Sequence, residues 1–171
     1  ELLEAINRTL ETAYRADFCV GYFNLRGWNA VADRIDGLAG GEDQDCRLIV
    51  GMPQSPHDEV REQLRILRGS ELIDNATKIR LRKQLAAQFR EQLAFGAPSN
   101  GDQAALRRLA GHLRDKKLAV KLFLRHPLHA KLYLIHRHDY GNPLTGFVGS
   151  SNLTAAGLSK QGELNVDVLD H

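Results

Sequence analysis

The chain has 171 residues, enough for one domain with a full hydrophobic core, and its 43% hydrophobic and 26% charged content excludes a disordered chain. The formal net charge of +2 excludes a whole-molecule basic field, so any polyanion binding must rest on local patches. No apolar run approaches the length of a membrane span and nothing resembles a signal peptide, which leads to the expectation of a cytoplasmic protein without a membrane partner.

The predicted elements begin at once. Leu2, Leu3, Ile6, Leu10, Ala13 and Tyr14 have helical spacing. Phe18 to Phe23 reads as a buried strand. Asn24 is placed to cap a second helix through Trp28, Val31, Ala32 and Ile35, ended by Gly37, Gly40 and Gly41. Cys46 to Met52 is a second strand. Strand, helix, strand at this spacing predicts a parallel pair with a crossover helix. Cys19 and Cys46 both sit in apolar runs and read as reduced core thiols. Trp28, Tyr22 and Phe23 read as core in preference to a base-stacking surface.

From about residue 57 to 117 the text turns helical and highly charged, and reads as an insertion. Val60, Leu64 and Leu67 mark a short helix. Leu72, Ala76, Ile79, Leu85, Phe89 and Leu93 mark a longer one. A loop spans Gly96 to Gly101, and Asp102 is placed to cap a third helix with Leu106, Leu109, Ala110 and Leu113 inward. The Arg and Lys residues of this block read as a solvated face. Strands resume at Leu118–Leu124, Lys131–Ile135, Gly146–Gly149 and Glu163–Leu169, with a polar loop from His136 to Thr145 and a brief helical piece after Ser150. The predicted fold is α/β: a single domain over residues 1–171, with a mixed β-sheet, helices on both faces and the helical insertion between the second and third strands. Glu1 already lies in a helical pattern and the last residues are strand-like, so a domain of a longer protein is expected.

Chemistry concentrates in the last third. His129-Ala130-Lys131 enters a strand, where residues two apart share a face, so an imidazole and an ammonium stand side by side. An imidazole is a competent nucleophile toward phosphorus, and a neighbouring lysine neutralises charge on the phosphoryl oxygens. Gly149-Ser150-Ser151-Asn152 leaves a strand. Gly149 lets the backbone turn and approach a ligand, Ser150 and Asn152 offer hydrogen-bond donors to phosphate oxygens, and the short helix that follows would add its first amides. Glu163 is placed to accept a hydrogen bond from the far nitrogen of a histidine and fix its tautomer. Arg125 and His126, just before the motif, are candidate phosphate contacts, as are Gly149 and Ser151 in the turn.

The ordered set His129-x-Lys131, Gly149-Ser150-x-Asn152 and Glu163 resembles the signature of the phospholipase D superfamily. The phrase from Gly146 to Thr154, followed by Gly157-Leu158 and Glu163-Leu164-Asn165-Val166, is similar to the phospholipase D-like nuclease domains that precede DEAD/DEAH-type helicase domains in bacterial proteins. The resemblance implies a hydrolase of phosphodiesters, with DNA as substrate and a helicase domain in the parent chain. It implies a covalent phosphohistidine, a second histidine that protonates the leaving group, resolution by water, and no metal or other cofactor. By position, His129 is the nucleophile or acid, Lys131 the phosphate clamp, Ser150 and Asn152 supporting donors, and Glu163 the orienting carboxylate.

Two departures qualify the match. His136 stands where the family often has an aspartate. A complete site needs two His-x-Lys motifs and this chain has one, since His57, His112, His126, His136, His138 and His171 lack a lysine two residues on. A homodimer with the site across a two-fold axis repairs the deficit, as would a missing part of the parent chain. Other readings stay open: a catalytically silent DNA-binding or dimerisation module of a helicase or restriction system, and a lipid or other phosphodiester transferase. A zinc reading of His126-x-x-His129 or His136-x-His138-Asp139 lacks a cysteine ligand, and no metal is expected.

Overall fold

The structure is a computed structural model that describes residues 1–51, 75–93, 100–123, 128–159 and 165–169. Its elements are α1 (Leu2–Leu10), β1 (Ala13–Val20), α2 (Leu25–Asn29), α3 (Ala32–Ile35), β2 (Cys46–Val50), α4 (Asn75–Leu93), α5 (Asn100–Arg114), β3 (Leu118–Leu122), β4 (Lys131–Arg137), β5 (Leu144–Gly149), α6 (Ala155–Ser159) and β6 (Asn165–Leu169). The strands form one six-stranded sheet in the order β3-β2-β1-β4-β5-β6. β1, β2 and β3 are mutually parallel, and the pairs β1–β4, β4–β5 and β5–β6 are antiparallel. The sheet is therefore mixed as expected, with α4 and α5 inserted between β2 and β3. The short helix expected around Val60 to Leu67 lies outside the described residues.

Alternation along the strands decides the core. Ala16, Phe18 and Val20 pair with Cys46, Leu48 and Val50 on one side and with Ile135, Tyr133 and Lys131 on the other. All but Lys131 are essentially buried. Side chains from all six described helices join this single cluster, among them Ile6, Trp28, Ile35, Leu93, Leu109 and Leu158. Each such large apolar side chain contributes about 1.5–3 kcal/mol by leaving water. Helices were expected on both faces. Among the described residues they lie on one, and the other face leaves Ile49, Val148, Val166 and Val168 between 39% and 56% exposed. The two cysteines are free. Cys46 is buried in the core and Cys19 points to the other side of the sheet, as the pairings Ala16–Cys46 and Cys19–Ile49 require.

Several boundaries move for identifiable reasons. The first helix stops at Leu10 because β1 begins at Ala13: β4 runs on to Arg137, which pairs with Ala13, and Tyr14 stacks on His138 with ring centroids 4.5 Å apart. His136 is accordingly in a strand, not a loop. Asn24 does cap the next helix, accepting from Gly27 N–H at 2.8 Å. That helix breaks after Asn29, where Asn7 takes the Ala30 carbonyl at 3.1 Å. In α5 the buried stripe is Ala105, Leu109 and His112, while Leu106 and Leu113 are 40% and 44% exposed. Ile79, expected inward on α4, is 53% exposed.

The stripe of α5 is shifted because charge docks this helix. Arg108 pairs with both Asp33 and Asp36, Lys117 donates to the Asp36 carbonyl, and the His112 ring Nε2 lies 2.5 Å from Asp36 Oδ1. Arg108 foremost holds the Asp36 carboxyl below its ordinary value, with His112 adding to the effect against the cost of burial. A depressed folded pKa contributes stability above the ordinary carboxylate value and loses it as pH falls through the folded one. Asp36→Ala leaves the 4%-exposed His112 without this partner. It should cost about 1–2 kcal/mol near neutral pH, discounted for the half-exposed carboxylate. In urea unfolding the gap from wild type should shrink below about pH 4; a gap that stays constant with pH would contradict the linkage.

Candidate active site

Lys131 opens β4 opposite Val20, the last residue of β1. It shares a face with Tyr133, whose ring is buried edge-on against Phe18 at 5.1 Å. Lys131 therefore stands at the rim of the helix-bearing face. Its Nζ donates to the His129 carbonyl at 3.2 Å. His129 is exposed just before the strand, and Gly21 N–H donates to the Ala130 carbonyl at 2.7 Å. The His-Ala-Lys backbone is thus laid along the end of β1.

The Gly149-Ser150-Ser151-Asn152 turn arrives at the same place. β5 pairs with β4 as far as Leu132–Val148, so Ser150 lies beyond the last of these pairs. Asn152 Oδ1 accepts from Tyr22 N–H at 3.0 Å. A backbone N–H requires an acceptor, so this bond fixes the carboxamide orientation and leaves the Asn152 NH2 as the donor for a ligand. Asn24 N–H donates to the Leu153 carbonyl at 3.3 Å, and Phe23 and Leu153 form an isolated parallel bridge. From below, the Tyr133 hydroxyl donates to the Ser151 carbonyl at 2.8 Å. Burial pushes the Tyr133 phenol well above its ordinary value, so it remains a neutral donor.

Close approaches at glycine make this convergence possible. A methyl group on Gly21 would lie 2.5 Å from the Leu128 carbonyl oxygen, 3.4 Å from Asn152 Oδ1 and 3.5 Å from the His129 Cα. Gly21 is flanked by both motifs at once. A methyl on Gly51 would meet the Gly21 carbonyl at 2.7 Å and Leu128 Cβ at 3.0 Å. Gly27 and Gly157 cradle the turn itself, the first against the Leu153 carbonyl and the second 2.8 Å from the Asn152 carbonyl.

The structure thus brings the segments that carry His129, Lys131, Ser150 and Asn152 to the C-terminal end of β1, with Gly149 at the end of β5. Ser151 was expected to touch substrate. It is fully buried, which keeps it from touching a substrate. The short helix was expected to offer free amides. In α6 the Gly157 N–H is already held by Thr154 Oγ1 at 3.0 Å. Tyr22, expected in the core, is half-buried on the loop after β1, while Phe23 and Trp28 are buried as expected. Glu163, Arg125 and His126 lie outside the described residues.

His136, in the position of the family aspartate, sits at the opposite end of β4 from Lys131. Its Nε2 lies 2.9 Å from Asp17 Oδ2, a carboxylate on the neighbouring strand that also receives Arg15 and Arg47. His138 is stacked on Tyr14. Among the described residues no group of three or more His, Cys, Asp or Glu side chains is arranged to hold a metal ion.

Sequence reasoning missed Gly21, Gly51 and Tyr133. A signal for the glycines was present: Val20-Gly21 and Val50-Gly51 close the two parallel strands in the same register, and Gly51 N–H donates to the Val20 carbonyl at 3.0 Å. Tyr133 carried no signal beyond strand alternation. The glycine contacts predict a graded response. Gly21→Ala must displace main chain and should destabilise by about 1–3 kcal/mol. Gly146→Ala, whose methyl would meet the mobile end of Leu134 at 3.1 Å, should cost less than about 1 kcal/mol. Urea midpoints of the two variants that fall in the reverse order would contradict the close packing at Gly21.

Comparison with known proteins agrees with this geometry. A search of curated proteins returned no match. The family described as "Cardiolipin synthase, PLD-like domain" matches residues 2–171, essentially the whole chain. With the mixed sheet and the histidine–lysine strand joined to the glycine–serine–asparagine turn, that match makes the chain a member of the phospholipase D-like domain family.

Proposed function

We propose that this chain is a metal-independent phosphodiesterase that cleaves DNA through a phosphohistidine intermediate, in a site completed by a second copy of the chain. Membership of the phospholipase D-like family supports the phosphodiesterase class. The observation that carries the reading is the meeting of His129-x-Lys131 and Ser150-x-Asn152 at the end of β1, held by the N–H groups of Gly21 and Tyr22. Two basic groups, a hydroxyl and an oriented amide then share one rim, which suits a tetrahedral anion.

In the proposed reaction one His129 ring nitrogen attacks phosphorus. The phosphorus–oxygen bond to the leaving strand breaks, and that oxygen takes a proton from the His129 of the second copy. That second imidazole then removes a proton from water. The water oxygen attacks phosphorus, the phosphorus–nitrogen bond breaks, and the first imidazole is released. Lys131 and the Asn152 NH2 hold the non-bridging oxygens throughout. One His-x-Lys per chain is the reason for the second copy, because nucleophile and acid cannot be the same ring.

The family description favours a second reading, phosphatidyl transfer between lipids, which would use the same histidine with an alcohol in place of water. Among the described residues no helix is long and apolar enough to cross a membrane. The proposed link to a helicase domain rests on the resemblance of the turn sequence alone.

Hydrolysis of bis(p-nitrophenyl) phosphate and nicking of plasmid DNA should persist in EDTA. His129→Ala should reduce both by at least about 10³-fold. Asn152→Asp keeps the acceptor for Tyr22 N–H but replaces the donor by a carboxylate, and should cost about 10²–10³-fold in kcat. Wild-type protein that is a demonstrated dimer yet inert on both substrates would leave a silent binding module. Turnover of phosphatidylglycerol vesicles but not DNA would favour the lipid reading.

A further inference from the structure

We infer that the exposed basic stripe of α4 is a binding surface for the phosphodiester backbone of nucleic acid, set beside the candidate site. The inference deepens the nuclease reading by naming the surface that holds the substrate, and it rests on that reading. Helix α4 carries Lys78, Arg80, Arg82, Lys83 and Arg90 against a single acid, Glu91. Arg80, Lys83, Ala87 and Arg90 are all exposed, and their spacing puts them along one stripe.

The three cations of that stripe are not held as several arginines elsewhere are. Arg15, Arg34, Arg47, Arg108, Arg114 and Arg137 each pair with a carboxylate. Among the described residues Arg80, Lys83 and Arg90 pair with none. Arg80 and Lys83 are like charges three residues apart, which repel on a helix surface until an anion neutralises them. The stripe spans about 15 Å, the rise of about four phosphate steps along a strand.

Its position follows from Phe89. That ring stacks on Phe23, with centroids 6.2 Å apart and planes 14° apart, and Leu93 is buried in the core. Phe23 follows Tyr22, whose N–H holds Asn152. The C-terminal end of the stripe therefore adjoins the loop that assembles the site. Nucleic acid is favoured over a lipid surface because an interfacial helix must bury a broad apolar face. Helix α4 commits Phe89 and Leu93 to the core, and Ile79 is its one described large apolar side chain left exposed.

The test titrates the full chain against a fluorescein-labelled DNA duplex of about 30 base pairs, from about 50 to about 200 mM salt. Each neutralised phosphate contributes about 0.9 to the slope of log affinity against log salt, so Arg80→Gln, Lys83→Gln and Arg90→Gln together should lower that slope by about 2–3. Affinity at the lowest salt should fall by about 10-fold or more. Hydrolysis of bis(p-nitrophenyl) phosphate should not change, since that small ester does not need the stripe. Amide exchange across α4 should slow when DNA is added to wild type, which tests the contact without any substitution. An unchanged slope and affinity in the triple variant would overturn the inference. So would binding to phosphatidylglycerol vesicles, in place of DNA, that depends on the same three residues. Reporter hydrolysis lost in wild type while DNA binding keeps its dependence on the stripe would instead remove the catalytic reading and leave the surface.

Discussion

Two consecutive backbone N–H groups hold the candidate site together. Gly21 donates to the Ala130 carbonyl and Tyr22 to Asn152 Oδ1, so one short loop brackets two segments that are distant from it in sequence. Backbone donors in such a place must find partners, and that requirement couples the loop to both motifs. The loop itself cannot tolerate side-chain bulk at Gly21, because Leu128 and His129 lie against it. The orientation of Asn152, the path of the His-Ala-Lys backbone and the seat of the serine turn follow from this arrangement.

Sheet topology explains why the bracket sits where it does. β1 is parallel to β2 on one side and antiparallel to β4 on the other. At the C-terminal end of β1 the chain turns into the loop before α2, and β4 begins beside it. The opposite end of the same strands is closed by charge: Asp17 is surrounded by Arg15, Arg47 and His136. His136, five residues after Lys131, faces the Asp17 carboxylate of the neighbouring strand.

The insertion between β2 and β3 is tied to the rest of the domain at two points of different character. Helix α5 is held by the Asp33 and Asp36 carboxylates through Arg108 and His112. Helix α4 is held by aromatic stacking on Phe23 and by burial of Leu93. The first fixes the insertion to α3, and the second brings it to the loop that carries the site. Arg108 and Arg114 on α5 and Arg15, Arg47 and Arg137 on the sheet are held in structural pairs, and among the described residues Arg80, Lys83 and Arg90 of α4 are not.

Much of this was legible in the sequence because it depends on local pattern. Apolar runs and alternation indicated six strands, the first of them misplaced at Phe18–Phe23 where β1 is Ala13–Val20, and the spacing around Asn24 gave a capped helix. The His129-x-Lys131 and Gly149-Ser150-x-Asn152 motifs marked the segments that form the candidate site, although β4 begins only at Lys131 and His129 precedes it. Contacts between segments were not legible. Which face of α5 is buried depended on carboxylates at Asp33 and Asp36, far from it in the chain. That Ser151 is buried could be seen only in the folded chain, and the importance of Gly21 depended on the Leu128 carbonyl lying against it. The sequence alone determined which groups are available for chemistry, because side-chain identity and short-range periodicity are local properties. Only the tertiary structure decided which of them meet, because distances between remote segments are set by strand pairing and by the space that neighbouring backbones leave.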